Sequence, residues 1–154
     1  MCTATPAHAF EKQWHLGGGL GGAVANGHSA GPALSLYGAY GISDVFDVRL
    51  EALGSHHDAL GDASLFYAGK LALAYKVDVI EWIPYAGVGA GFLGVTSPGA
   101  SFRSFQPTVG GIAGLDYAVS REFGMGLAVL ADYGFRARAT YGALFLRAEY
   151  RFGW

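Results

Sequence analysis

Charged residues and cysteine are both scarce in this sequence. Asp, Glu, Lys and Arg make up 14% of the 154 residues, whereas a typical soluble domain carries about 25%. The net charge is only −2, so there is no basic surface of the kind that attracts nucleic acid. The single cysteine, Cys2, excludes an intrachain disulfide and a cysteine-based metal centre. The composition therefore argues against an ordinary soluble domain, a disulfide scaffold and a nucleic-acid-binding protein.

The N-terminal segment lacks the charged region and the apolar run of a complete export signal. The same missing run argues against lipidation of Cys2. The tripeptide Ala7-His8-Ala9 nevertheless matches a small-x-small cleavage pattern, with Phe10 as the first residue of the mature chain. We therefore expect residues 1–9 to be the remnant of an export signal or a disordered N-terminal tail, and residues 10–154 to form a single domain.

Glycine, in contrast, is abundant, with 25 residues or roughly double the usual share of about 7%. Between the glycines, apolar side chains recur at every second position, which is the period of a β-strand with one apolar face. This alternation predicts eight strands, over residues 12–24, 33–43, 45–53, 64–77, 82–93, 105–117, 123–133 and 140–154. Stretches rich in turn-forming residues predict four longer loops, at residues 25–32, 55–63, 94–104 and 134–139.

The last predicted strand, from Thr140 to Trp154, shows the alternation most clearly. Its even positions are apolar and end in three aromatic residues, whereas its odd positions carry three charges. A protein core seldom continues to three aromatic residues at a chain end. The pattern is typical of a strand whose outer face meets lipid and whose inner face meets a polar lumen.

Apart from Lys12 at a strand end, the ten charges within the predicted strands all lie on the face opposite the apolar side chains. An Arg or Lys at the bilayer midplane costs about 2–4 kcal/mol, so a one-residue slip of the register would be strongly unfavourable. The set contains equal numbers of acids and bases, and charges in a narrow interior must be paired. We therefore predict a closed, salt-bridged lumen. Its charge network consists of Asp47, Arg49, Glu51, Lys70, Lys76, Asp116, Asp132, Arg147, Glu149 and Arg151.

Eight amphipathic strands predict an all-β fold, an eight-stranded antiparallel up-and-down transmembrane β-barrel. Glycines on the inner face would make room for Tyr37, Tyr85 and Phe145. The aromatic residues gather at the strand ends, as in the interfacial girdles of membrane barrels. The girdle near the chain ends consists of Trp14, Tyr40, Phe46, Tyr75, Trp82, Tyr117 and Phe123, with Trp154 beside it. The girdle near the longer loops consists of Tyr67, Phe92, Phe105 and Tyr133.

Two segments resemble those of the small eight-stranded outer-membrane β-barrels, the OmpA/OmpX-like superfamily. Tyr150-x-Phe152-x-Trp154 is similar to the C-terminal assembly signal that such proteins present to the outer-membrane assembly machinery. The segment W-I-P-Y-A-G-V-G-A-G-F at residues 82–92 is similar to a mid-barrel strand of this superfamily. The resemblance implies a location in the bacterial outer membrane. It also implies membrane lipids, lipopolysaccharide and the assembly machinery as partners. We expect a monomer that binds no cofactor and no nucleic acid.

Two other folds compete with this prediction. Residues 82–102 contain no charged residue and are long enough for a transmembrane helix, but Pro84, Pro98 and the glycines between them disfavour one. A soluble lipocalin-like barrel would show the same alternation with the faces inverted, and its aliphatic interior would bind an apolar ligand.

Few residues indicate chemistry. His28-Ser29 would need an acid to form a hydrolase triad, and no such acid is placed by the sequence. His56-His57-Asp58 supplies too few fixed ligands for a metal site. Arg103, Arg136 and Arg138 lie in predicted loops, where they would keep the loops soluble or contact lipopolysaccharide phosphates. His15 is expected to face the lumen.

We therefore predict a non-enzymatic integral outer-membrane protein that acts structurally or through its surface loops, with no catalytic or metal-binding residue. Three alternatives stay open: a narrow or gated pore for small solutes, a lipid-modifying barrel enzyme, and the lipocalin-like binder.

Overall fold

The protein folds into a closed barrel of eight antiparallel strands, each paired with its neighbours in sequence, and the first paired with the last. A computed structural model describes residues 12–26, 29–59, 62–77, 81–96 and 104–153. The strands are β1 (Trp14–Ala25), β2 (Ser29–Gly41), β3 (Phe46–Ala59), β4 (Asp62–Lys76), β5 (Trp82–Thr96), β6 (Ser104–Ala118), β7 (Phe123–Gly134) and β8 (Ala139–Phe152). The predicted fold class is confirmed. The predicted tail at residues 1–9 lies outside the described residues, as do His28, Arg103 and Trp154.

The strand register makes the barrel narrow. When the pairing is followed once round the barrel from Trp14, it returns to β1 at Val24, ten residues further along the strand. Such a shear inclines the strands by about 35–45° to the barrel axis. An eight-stranded barrel of this kind has an interior just wide enough for side chains to fill.

Alternate side chains separate cleanly into an outer and an inner set. Aliphatic residues cover the outside; Leu20 is 67% exposed, Leu36 69% and Val88 72%. The ten predicted lumen charges lie inside and are each at most 7% exposed. In water this arrangement would expose the apolar surface and bury the charges, both of which are costly. The lipocalin-like alternative is therefore wrong, because it requires the opposite assignment of faces.

The apolar outer surface has the height of a bilayer core. On β5 the girdle residues Trp82 and Phe92 are ten residues apart, as are Phe123 and Tyr133 on β7. Ten residues rising about 3.3 Å each, on strands tilted by about 40°, span about 25 Å. Residues 82–96 form β5, so the helical alternative for residues 82–102 is wrong. Among the described residues, no helix is long and apolar enough to cross a bilayer.

Several strands are longer than the sequence predicted, and the predicted long loops are correspondingly short. β2 begins at Ser29, β3 continues to Ala59 through most of the predicted loop 55–63, and β5 continues to Thr96. The connections at this end of the barrel comprise residues 26–28, 60–61, 97–103 and 135–138. Backbone pairing continues past the point where the apolar face ends. Strand limits predicted from hydrophobic alternation therefore make these strands too short.

The opposite end of the barrel carries the start of β1, the end of β8 and three short connections, at residues 42–45, 77–81 and 119–122. The connections 42–45 and 119–122 are each stabilised by a serine hydroxyl. The Ser43 hydroxyl accepts a hydrogen bond from the backbone N–H of Phe46 at 3.1 Å, and the Ser120 hydroxyl accepts one from Phe123 at 3.0 Å. Such local side-chain acceptors stabilise tight turns.

Candidate functional site

The candidate site is the lumen, and its charges are concentrated towards one end. By the strand register, eight of the ten charges lie in the half of the lumen nearest the chain ends, which we call the terminal half. Lys70, which pairs in register with Glu51, and Asp132, which precedes the girdle residue Tyr133, lie further along the barrel axis. The other half, the distal half, ends at the connections 26–28, 60–61, 97–103 and 135–138.

In the terminal half, two groups of ion pairs cross between strands. Asp47 on β3 lies 3.0 Å from Arg49 Nε and 3.1 Å from Lys76 Nζ on β4. Glu51 on β3 lies 2.8 Å from Arg147 Nη2 on β8, across the barrel interior. All five residues are nearly inaccessible to solvent. Removing one partner of such a buried pair typically costs about 3–5 kcal/mol, because the other charge is left without compensation.

Glu149 on β8 is the most heavily contacted carboxylate. One of its oxygens lies 2.5 Å from Arg151 Nη2 and 3.6 Å from His15 Nδ1, and the other accepts a hydrogen bond from the Tyr37 hydroxyl at 2.8 Å. These contacts connect β1, β2 and β8. His15 therefore faces the lumen, as the alternation predicted, and contributes to the charge network.

Two tyrosines hold the arginines across the lumen. Arg49 lies 4.0 Å from the centre of the Tyr85 ring, and Arg147 lies 4.7 Å from the centre of the Tyr37 ring. These are cation–π distances, and such contacts are stronger where water is excluded. The rings lie against Gly17 and Gly114, where any larger residue would collide with them. The glycines thus make room for Tyr37 and Tyr85 as predicted, whereas the glycine opposite Phe145, Gly21, meets the backbone of β8 instead.

Asp116 differs from the other four acids. It is buried, its carboxylate lies against Gly126, and no ion pair of the described residues includes it. The predicted balance of five acids and five bases therefore holds for the lumen as a whole, but not as five separate pairs.

Beyond the charges, the lumen is filled by apolar side chains. Leu53, Ile112, Leu130 and Phe145 belong to one buried cluster, each at most 7% exposed. Lys70 and Asp132 form an ion pair of 2.7 Å beside this cluster. The barrel interior therefore consists of a charged terminal half followed by an apolar layer. Neither resembles the water-filled channel of a larger porin.

The distal half contains a chain of hydrogen bonds that the sequence did not predict. His57 Nδ1 lies 3.0 Å from the backbone oxygen of Ser29, which only accepts, so this nitrogen carries the proton. His57 Nε2 then accepts from the Ser55 hydroxyl at 2.8 Å, and Ser55 accepts from the Tyr141 hydroxyl at 2.9 Å. The Ser29 hydroxyl also lies 3.0 Å from Nδ1.

This chain changes the assignment of the candidate catalytic and metal-binding residues. Ser29, a catalytic candidate, contacts His57, a metal-site candidate that the sequence placed in a loop. The serine that donates a hydrogen bond to the unprotonated nitrogen of His57 is Ser55, which was not a candidate. Ser55 and His57 are at most 2% exposed, and the centre of the Phe66 ring lies 4.6 Å from that of the His57 ring, with the two ring planes tilted by 54°. The arrangement resembles a Ser–His dyad in its bonding only. The alternation along β3 could have placed both residues in the lumen, because Ser55 and His57 continue the series of inward positions that contains Glu51 and Leu53.

His56 and His57 point to opposite faces of β3. His56 is 51% exposed and pairs with Asp58 at 3.2 Å on the outside, whereas His57 is buried inside. Successive side chains of a strand alternate in this way. Residues 56–58 therefore do not bring their three side chains together around one ion.

On the outer surface, the girdle near the chain ends is built from cross-strand pairs. Trp14 contacts Tyr40 with ring centres 4.8 Å apart, and Phe46 contacts Tyr75 at 5.3 Å. Trp82 contacts Tyr117 at 5.0 Å, and Phe123 pairs in register with Tyr150. Of the three residues of the predicted assembly signal, Tyr150 and Phe152 lie on the outer surface, with ring centres 6.2 Å apart. Trp154 lies outside the described residues.

Comparison with known proteins supports the fold and leaves the activity open. No family model and no curated protein matches the chain. Among solved structures, Neisserial surface protein A has a TM-score of 0.75 at 15% identity, covering 91% of this chain and 96% of its own. OprG, an outer membrane protein from Pseudomonas aeruginosa, has a TM-score of 0.66 at 14% identity, covering 95% and 99%. Ail, the attachment invasion locus protein of Yersinia pestis, has a TM-score of 0.65 at 15% identity, covering 93% and 100%.

The structural similarity extends over nearly the whole of every chain compared. The sequence identities are too low to infer a shared activity. The localisation implied by the C-terminal residues agrees with them. The chain therefore has the fold of the small eight-stranded β-barrels of the bacterial outer membrane.

Proposed function

We propose that this protein is a non-enzymatic, monomeric outer-membrane barrel that acts structurally or through the distal ends of its strands. The observation that carries the proposal is the closed lumen. Arg49 and Arg147 each engage a carboxylate and a tyrosine ring, and an apolar cluster follows them along the axis. A conducting state would have to break several of these buried contacts together. Membrane lipids and the assembly machinery are the partners that this role requires.

The distal ends offer a compact surface rather than large loops. β3 and β4 are joined through only two residues, and β7 and β8 through four. The longest stretch between strands at this end is residues 97–103. This supports a structural or surface-contact role more than capture of a ligand between mobile loops.

Conductance in planar bilayers tests the closed lumen. We expect the purified barrel to give no steady unitary current steps, because no water-filled path crosses the charged and apolar layers. A porin reconstituted in the same membranes is the control that shows the assay detects open barrels. Steady steps that scale with the amount of inserted protein would replace this proposal with the pore alternative.

Incubation with labelled lipid A and phospholipid tests the absence of enzymatic activity. We expect both lipids to remain intact, since Ser55 and His57 are buried beneath Phe66 and Tyr141. Ser55→Ala and Ser29→Ala serve as matched variants. Lipid cleavage by the wild-type protein that disappears in Ser55→Ala would show that the protein is an enzyme.

A further inference from the structure

The girdle near the chain ends is built from one arrangement that recurs in all four β-hairpins closed by the distal connections. In each hairpin, an aromatic residue at the start of the odd-numbered strand pairs in register with a tyrosine near the end of the even-numbered strand. The pairs are Trp14 with Tyr40, Phe46 with Tyr75, Trp82 with Tyr117, and Phe123 with Tyr150. Aromatic residues of such a girdle lie at the level of the lipid headgroups.

The residue before each of these strand-starting aromatic residues has the same backbone bond in all four hairpins. Its carbonyl oxygen accepts a hydrogen bond of 2.7 to 2.9 Å from the backbone N–H of the residue that follows the tyrosine. The four residues are Gln13, Val45, Glu81 and Glu122. The backbone position is therefore equivalent throughout, whereas its side chain is a carboxylate in the third and fourth hairpins and not in the first and second.

Each glutamate carboxylate lies near the tyrosine of its own hairpin. The Tyr117 hydroxyl donates a hydrogen bond to Glu81 Oε2 at 2.8 Å, and the Tyr150 hydroxyl lies 3.5 Å from Glu122 Oε2. Both glutamates are exposed, and no ion pair of the described residues includes either one. A carboxylate can accept about four hydrogen bonds. Each therefore keeps acceptor capacity beside an aromatic pair at the headgroup level.

The aromatic rings add a second attraction for a cation. The centre of the Trp82 ring lies 5.0 Å from that of Tyr117, with the ring planes inclined by 57°. In the fourth hairpin, the centre of the Tyr150 ring lies 6.2 Å from that of Phe152. Ring faces attract ammonium groups, and tryptophan does so most strongly. A carboxylate beside such rings is suited to a small cation that carries N–H donors.

We propose that Glu81 and Glu122 each bind the ammonium group of a phosphatidylethanolamine headgroup, which donates hydrogen bonds to the carboxylate and lies against the girdle rings. This headgroup presents an ammonium group with N–H donors at the level of the girdle, and the exposed carboxylates have the opposite charge and free lone pairs. The choline headgroup of phosphatidylcholine carries the same charge without an N–H donor, so it contacts only the rings. The inference goes beyond the proposed function, which requires lipids of no particular headgroup.

The chain supplies variants that change the carboxylates and little else. Glu81→Gln and Glu122→Gln keep the side-chain length and an acceptor for the tyrosine but remove the charge. Both residues lie in connections, immediately before the first residue of a strand, so the strands stay paired. Asp58→Asn is the matched control, because the Asp58 side chain is 80% exposed and lies towards the distal end of β3.

The hairpin of Phe46 and Tyr75 allows the opposite change. Val45 holds the position equivalent to Glu81, through its backbone bond to Lys76, and is 37% exposed. Val45→Glu therefore places a further carboxylate beside an aromatic pair whose ring centres are 5.3 Å apart. A binding site gained in this way cannot result from a loss of folding.

The experiment is competition between phosphatidylethanolamine and phosphatidylcholine with identical acyl chains for the purified barrel in detergent, with bound lipid counted by native mass spectrometry. We expect the wild-type barrel to retain phosphatidylethanolamine at both sites, favoured over phosphatidylcholine by about fivefold at each. We expect the double glutamine variant to retain the two lipids equally and Asp58→Asn to behave as the wild type. Val45→Glu should retain one more phosphatidylethanolamine. Gel migration before and after boiling shows whether each variant is folded.

Three results would overturn the proposal. Equal retention of the two lipids by the wild-type barrel would leave both carboxylates to a different cation, such as a basic segment of a protein partner. A preference for phosphatidylethanolamine that persists in the double glutamine variant would assign it to the rings or the backbone. A preference that is lost equally in Asp58→Asn would assign it to the net charge of the barrel.

Discussion

Among the described residues of the lumen, Lys70 and Asp132 form an ion pair that lies apart from the charged terminal half, beside buried apolar residues. A buried pair in such surroundings is costly to break, but replacing both partners by apolar residues is often neutral or stabilising. We therefore expect Lys70→Met alone, or Asp132→Leu alone, to lower the free energy of unfolding by about 3–5 kcal/mol. We expect the double variant to recover most of that loss.

Urea unfolding of the refolded barrel, followed by tryptophan fluorescence, would measure the full cycle of single and double variants. Equal losses in the double variant and in the sum of the single variants would show that the two side chains do not interact. If the double variant is as stable as the wild type, apolar side chains can replace the ion pair, and the charges at this place are not required for stability.

At the residue level the sequence predicted faces but not partners. The period of two assigned each charge to the inner face, because one misplaced Arg or Lys facing lipid would be unfavourable by several kcal/mol. The pairing of Glu51 with Arg147 depends on the shear of the barrel, which brings together residues far apart in sequence. No local pattern encodes that distance. For the same reason the hydrogen bonds joining Ser29, His57 and Tyr141 were not predicted.

The eighth strand ends in outward aromatic residues. Variants at this end can distinguish a role in assembly from a role in the aromatic girdle. Phe152 is 36% exposed, and Phe123, on the neighbouring strand at the same girdle, is 38% exposed. If Phe152 and Trp154 act as an assembly signal, replacing both by alanine should reduce the yield of inserted barrel several-fold. Phe123→Ala should change it little, although it removes similar apolar area from the same interface.

Outer-membrane fractions of cells expressing each variant would be compared for folded barrel. Similar losses in Phe123→Ala and in the C-terminal variant would assign Phe152 to the girdle alone. Refolding of the purified C-terminal variant into lipid vesicles is the control, since an assembly signal is needed for delivery in cells and not for the stability of the finished barrel.

At the level of elements, the sequence predicted the number, order and phase of the strands but not where they end. β3 continues through Ser55 and His57 because its backbone remains paired with β4, whereas its outward face has already changed from Gly54 to the polar His56 and Asp58. Hydrophobic alternation reports contact with lipid, and backbone pairing reports the length of the strand. The two differ wherever a strand extends out of the membrane.

For the molecule as a whole, closure of the sheet leaves no unpaired strand edge, and every described strand is paired on both sides. Such a barrel resists unfolding by detergent until it is heated. We therefore expect the unheated protein to migrate faster than the boiled protein in dodecyl sulfate gels. Identical mobility before and after boiling would argue against the closed barrel. The Lys70→Met variant run in parallel should convert at a lower temperature if its loss of stability is as large as argued above.

The uneven distribution of charge along the lumen has a consequence for how the chain enters the membrane. A barrel inserted from the side that holds its chain ends must carry its distal half through the hydrocarbon layer, whereas its terminal half stays near the aqueous phase it came from. Eight of the ten lumen charges lie in the terminal half, so most of the ionised groups are spared that passage. We therefore expect the same arrangement that closes the finished barrel to ease its insertion from that side.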